Sequence, residues 1–152
     1  MPPSIWDPAC GGGVLIGQFQ AAGCRVVGSD IEDRGAPRAT QADFESFSKM
    51  PKNIDTVVSN PPFSFVEEWV RHGFGIGAKR IIFLARLALL EGQKRRENFW
   101  VSHPPARVWI CSRRPSIPPG GQNIKAKGGS IPFAWFDWGA GFVGHPEIRW
   151  VP

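Results

Sequence analysis

Asn60-Pro61-Pro62-Phe63 brings together residue types suited to one task, the handling of a planar amine. The lone pair of an exocyclic NH2 is delocalised, so the group is a poor nucleophile. Two acceptors, the Asn60 side-chain oxygen and the Pro61 carbonyl, would bind its two protons. They would draw the nitrogen toward sp3 geometry and aim its lone pair at an activated methyl group. Phe63 would stack on the ring and hold its plane. The rate would come from positioning and placed dipoles, without a strong base. Consecutive prolines fix φ and force the residues before them into extended backbone, which holds Asn60 rigidly. The competing reading of these four residues is a proline-stiffened turn carrying a surface Phe.

Such a turn needs elements to place it. Residues 54–59 are a β-branched run that predicts a buried strand ahead of it. Residues 64–67 predict a capping box opening a helix behind it. The tetrapeptide then lies at the carboxyl end of a strand, where open α/β sheets hold ligands. Upstream, residues 4–7 predict a first strand, and residues 8–13 a glycine turn that a ligand can approach closely. A helix with Leu15, Phe19 and Ala22 on one face follows, closed by Gly23. Residues 25–29 predict a second strand ending at Asp30, an acid placed for ribose hydroxyls. Residues 39–42 predict a third, ending at Asp43 and Phe44, an acid beside an aromatic suited to an adenine ring. Each Asp alone reads better as a strand end or a helix cap. Three acids at successive strand ends, followed by the Asn-Pro-Pro-Phe turn, point to a cofactor site. Gly11, Gly13 and Gly17 do not fit G-x-G-x-x-G, which argues against a nicotinamide dinucleotide.

The series Asp7-Pro8-Ala9-Cys10-Gly11-Gly12-Gly13, Asp30, Asp43-Phe44 and Asn60-Pro61-Pro62-Phe63 resembles the motifs of S-adenosylmethionine-dependent amino-methyltransferases. Within them it is most similar to N6-adenine DNA methyltransferases of small phage or prophage type. The resemblance covers residues 4–66 well, and residues 87–118 and 134–150 more loosely. It implies a single Rossmann-like class I methyltransferase domain with S-adenosylmethionine as cofactor. Asp7 to Gly13 would contact the methionine part, Asp30 the ribose, and Asp43, with Phe44 beside it, the adenine amino group. The implied cofactor set is Asp7, Ala9, Cys10, Gly11, Gly13, Asp30, Ile31, Asp43, Phe44 and Asn60. The implied catalytic set is Asn60, Pro61, Pro62 and Phe63, acting on N6 of adenine in DNA. Family members usually carry an N-terminal segment that helps close the pocket, whereas here the first strand begins at about residue 4. A more open pocket is expected, or one covered by another part of the chain or a second subunit. No room is left for a separate target-recognition domain, so tight sequence specificity is not expected.

The remaining sequence agrees with one α/β domain, a mostly parallel sheet with helices on both faces. Residues 133–138 and 147–150 predict a closing antiparallel edge hairpin. Residues 81–90 predict a strand leading into a helix. The 152 residues are 42% apolar, without the run of roughly 20 that spans a bilayer. No signal peptide is visible, and three cysteines without a pairing pattern suit a reducing cytoplasm, bacterial or phage-infected. The histidines and cysteines lack metal-ligand spacing, so no metal is expected. Cys10 reads as a small packing residue.

A net charge of +5 favours an anionic partner, which the resemblance implies is nucleic acid, DNA first. Arg113, Arg114, Lys125 and Lys127 fall in a flexible basic Gly/Pro-rich loop at about 112–130, the expected phosphate-contacting element. Its competing reading is a disordered surface excursion. Lys94 to Arg96 read as a solvated helix face, with Glu91 and Arg95 paired at i,i+4. A chain this short offers little surface for bent DNA, so a homodimer or a preference for single strands is expected. RNA bases, cytosine N4 and a protein glutamine amide compete as substrates. A decayed nucleic-acid-binding module competes with the enzyme, although Asp30, Asp43 and Asn60 are intact.

Overall fold

The computed structural model describes residues 3–113, 115 and 131–152. Among them, one sheet contains β1 (Ser4–Asp7), β2 (Arg25–Asp30), β3 (Thr40–Gln41), β4 (Thr56–Ser59), β5 (Arg80–Arg86), β6 (Arg107–Cys111), β7 (Phe133–Gly139) and β8 (Glu147–Val151). Their order is β3-β2-β1-β4-β5-β7-β6-β8. β7 alone runs against its neighbours, so the carboxyl ends of the other seven share one edge. The reversal of strand order at β1 and β4 opens a crevice at that edge.

Register separates the two faces. Trp6, Val57, Ile81, Trp138, Phe83 and Phe136 lie on one, Ile5, Asp7, Gly28 and Val58 on the other. α2 (Val66–Gly75) covers the first face with Val66, Trp69, Val70 and Gly73, the i, i+3, i+4, i+7 stripe of an amphipathic helix. A Cβ on Gly73 would stand 2.7 Å from Ile81 Cδ1, so glycine is what lets α2 approach β5. α1 (Val14–Ala21) covers the second face, with Ile16 seated over Gly28 in the same manner.

The core lies under α2. Phe44, Phe83, Phe99 and Phe136 are all within 1% of full burial, each contributing roughly 1.5–3 kcal/mol. Trp6, Trp69 and Trp138 complete it.

Several expectations change. In α1 the buried residue is Ile16; Leu15 and Phe19 are half-buried and Ala22 is exposed. Eight residues seated on one small strand position bury a spot rather than a stripe. The segment after β5 is a 3-10 turn, Leu87–Leu90, followed by α3 (Gln93–Arg95) and a π-helical turn, Arg96–Trp100. The antiparallel pairing expected near this edge is made by β6 and β7; β8 does not pair with β7 but adds beyond β6, parallel to it. Arg95 does not bridge to the Glu91 side chain. It pairs with Glu67 at 2.6 Å and donates to the Glu91 backbone oxygen, because α3 is too short to present an i,i+4 face. Among the described residues no helix is long and apolar enough to cross a membrane.

Candidate active site

Asp30, Asp7 and Asn60 end or follow three adjacent strands, β2, β1 and β4, at the carboxyl edge. Asp7 is 1% exposed. Its Oδ1 accepts the Ser59 hydroxyl at 2.7 Å and the Ala9 N–H at 3.2 Å. Its Oδ2 is buried and has no partner among the described residues. Burial pushes this carboxyl up to about 6; the two hydrogen bonds oppose that shift and the Asp30 charge adds to it.

The glycine turn is tied to the end of β2 by two hydrogen bonds. The Cys10 N–H donates to the Ser29 oxygen at 3.0 Å, and the Gly11 N–H donates to Asp30 Oδ2 at 2.8 Å. Asp30 Oδ1 accepts the Glu32 N–H at 3.0 Å. Each Asp30 oxygen therefore keeps lone-pair capacity for a hydroxyl. Gly13 caps α1 at φ +85°, and a Cβ there would also press on Ala36 at 3.2 Å. Burial, with Asp7 and Asp30 adding to it, pushes the Cys10 thiol up to about 11, which leaves it un-ionised and suits it to packing.

Asn60 is half-buried, and its Oδ1 is covered and without a partner among the described residues. Pro61 is buried and Pro62 exposed. The Phe63 ring meets Phe133 at 5.4 Å, and the Arg86 guanidinium lies over it at 5.4 Å. The expected capping box is not formed: a 3-10 turn, Phe63–Phe65, precedes α2, whose N-cap is Phe65 without a side-chain hydrogen bond. The consecutive prolines hold the chain extended into that turn, so Ser64 falls inside it.

Two expected cofactor residues stand apart. Asp43 is exposed and caps the 3-10 turn Phe44–Ser46, accepting the Glu45 N–H at 3.1 Å. The Phe44 side chain is 1% exposed, with Trp6 at 5.1 Å and Trp69 at 4.7 Å, so its ring offers no face to an adenine. An apolar ring beside a core-forming strand is drawn inward. Ile31, by contrast, is 63% exposed beside Asp30. Arg113 is exposed; Arg114, Lys125 and Lys127, with most of the expected basic loop, lie outside the described residues. The flanking Cys111 and Phe133 both sit at the carboxyl edge.

Sequence reasoning missed Ser59, which holds Asp7, and Arg86, which covers Phe63. Ser59 next to Asn60 was the available signal; Arg86 carried none, since its ring partner is 23 positions away in sequence. A cavity of about 450 Å³ lies beside β1–β3 among residues such as Val27, Phe47 and Met50 and holds none of these site residues, whereas a smaller one of about 60 Å³ is lined by Cys10, Gly11 and Asp30. The crevice at the strand ends is better placed by its buried polar atoms than by enclosed volume. No group of three or more metal-ligating side chains occurs among the described residues.

This strand order, with β7 reversed between β5 and β6, is the class I methyltransferase fold. Solved structures of that fold superimpose on most of the chain. A candidate RNA methyltransferase from Pyrococcus horikoshii matches with TM-score 0.64 at 15% identity, over 90% of this chain and 73% of its own. Magnesium protoporphyrin IX methyltransferase from Synechocystis, with S-adenosylmethionine bound, matches with TM-score 0.60 at 15% identity, over 90% and 70%. The 1,6-didemethyltoxoflavin-N1-methyltransferase of Burkholderia thailandensis, with S-adenosylhomocysteine bound, matches with TM-score 0.59 at 10% identity, over 91% and 71%. No protein-family model matches the chain, and no curated protein does.

Proposed function

We propose that the chain transfers a methyl group from S-adenosylmethionine to an exocyclic amine of a nucleic-acid base, N6 of adenine in DNA first. The observation that carries this is a pair of orphaned acceptors, Asp7 Oδ2 and Asn60 Oδ1, buried at neighbouring strand ends. A buried acceptor without a donor costs about 1–3 kcal/mol. Ligands that bring N–H groups relieve that cost, and the proposed pair brings both, an ammonium and an amine. The cofactor would supply a methyl group on a sulfonium sulfur, electrophilic enough for a weak nucleophile.

In this reading Asp7 and the glycine turn hold the cofactor's amino-acid end, and Asp30 holds its ribose. Asn60 turns its amide outward to accept one amine proton, the Pro61 carbonyl accepts the other, and Phe63 fixes the plane of the base. The methylated nitrogen is strongly acidic while it carries its extra proton, so water suffices to remove it. Asp43 keeps a carboxylate oxygen for an adenine amino group, while the apolar side chain beside that adenine is exposed Ile31 rather than buried Phe44.

An RNA base is the second reading, favoured by the Pyrococcus protein's name. Transfer of labelled methyl to duplex DNA, single-stranded DNA and RNA, with nucleoside analysis and Asn60→Ala as control, separates them. N6-methyladenine in DNA that vanishes in the variant supports the first reading. Label confined to RNA supports the second. No transfer and no thermal stabilisation by the cofactor would overturn both.

A further inference from the structure

Four arginines share the second face of the sheet. Register places Arg80 and Arg86 on β5, Arg107 on β6 and Arg149 on β8 on the side opposite the α2 core. The same face carries two carboxylates, Asp137 on β7 and Glu147 on β8. They alternate with three of the arginines in a ladder across the strands. Arg80 meets Asp137 at 2.8 Å, Asp137 meets Arg107 at 3.2 Å, Arg107 meets Glu147 at 3.6 Å, and Glu147 meets Arg149 at 2.8 Å. Four cations against two anions leave the face positive. The ladder arginines keep 48%, 41% and 46% of their side chains in solvent, so their outer N–H groups stay available.

One pleat nearer the carboxyl edge lies an apolar row, Leu84, Trp135 and Trp109. Aromatic rings of the opposite face pack on one another throughout the core. Trp135 is half-buried and makes no ring contact among the described residues, and Trp109 meets only the Arg149 guanidinium, at 5.0 Å. α1 covers this face over β2, while α2 lies on the other side of β5. Exposed Arg86 ends the same face of β5 and lies over Phe63, which joins the surface to the candidate active site.

We infer that the β5–β8 face binds the single-stranded nucleic acid flanking the target base, its phosphates on the outer N–H groups of Arg80, Arg107 and Arg149 and an unpaired base on Trp135. A cationic track with an aromatic ring is how single strands are held. A duplex hides its base faces from such a ring. A second copy of the chain, docked face to face about a two-fold axis, would set four arginines against four. The inference rests on the proposed nucleic-acid substrate.

The test is fluorescence anisotropy with a labelled single-stranded oligodeoxyadenylate at several salt concentrations, with cofactor-induced thermal stabilisation measured on the same proteins. Arg149→Gln removes an end cation without stranding a buried charge, and Trp135→Leu keeps apolar bulk without the ring. Lys52→Gln, away from this face, is the charge-matched control. Arg149→Gln is expected to weaken binding about fivefold and to lower the slope of log affinity against log salt by about 0.7. Trp135→Leu is expected to weaken it about tenfold with the slope unchanged, and Lys52→Gln to change neither. Equal binding by all four proteins, or duplex bound as tightly as single strand, would overturn the inference. So would a dimer that Arg149→Gln dissolves. Absence of wild-type oligonucleotide binding would also overturn it, and retained cofactor stabilisation would then show that the methyltransferase reading survives.

Discussion

Asp7 and Asp137 are both 1% exposed and both sit in the same sheet, yet their surroundings are opposite. Asp137 is met by Arg80 through both guanidinium forks, at 2.9 and 2.8 Å, and by Arg107. Burial raises its carboxyl, but Arg80 and then Arg107 outweigh that and hold it below the ordinary range. Asp7 has only a hydroxyl and one N–H, both on one oxygen, and burial wins. A buried charge whose partners come from the chain is structural. One left half-satisfied at the ligand edge of an α/β sheet is a candidate for a partner from outside.

Four experiments test that contrast. Asn60→Ala, on the unsatisfied side, is expected to lower methyl transfer at least about 100-fold. Its melting temperature should not fall, because an orphaned acceptor is removed; activity near wild type would end the proposed role. Next comes pH. Asp7 holds its proton more tightly folded than unfolded, so stability falls as pH rises from about 4 to about 6 and is then level with respect to this group. Relative to Asp7→Asn, the wild type should lose roughly 3 kcal/mol across that window in urea titrations. A cationic ligand prefers the ionised carboxylate, so cofactor stabilisation should shrink below about pH 6 in the wild type and not in the variant.

Asp137→Ala is expected to destabilise by about 2 kcal/mol, less than a fully buried pair because both arginines reach water. Its stabilising contribution disappears as pH falls through its depressed value, the reverse of Asp7, and cofactor binding should be unchanged. Glu67→Gln breaks the half-exposed pair with Arg95 and should cost under about 1 kcal/mol. A loss as large as that of Asp137→Ala would show that burial does not set the scale.

Local chemistry made much of this legible. The β-branched 54–59 run, the glycine turn and Asn60 to Phe63 state their conformations within a few residues, because proline and glycine restrict or free the backbone where they stand. Acids at successive strand ends follow from that pattern. The capping box was misread because a proline pair upstream changed which residue begins the helix. Phe44 was misread because an aromatic beside an acid looks the same whether it faces a ligand or a core.

The α/β alternation, the order of the candidate cofactor and catalytic motifs, and the positive charge were all written in the sequence. Folding settled the rest: Ser59 engages Asp7, Arg86 covers Phe63, Phe44 turns inward, and β8 adds beyond β6. Those outcomes depend on strand order and register, which join residues as far apart as Asp7 and Ser59 or Arg80 and Asp137. A local pattern carries its own period, but it does not encode which distant strand supplies the neighbour.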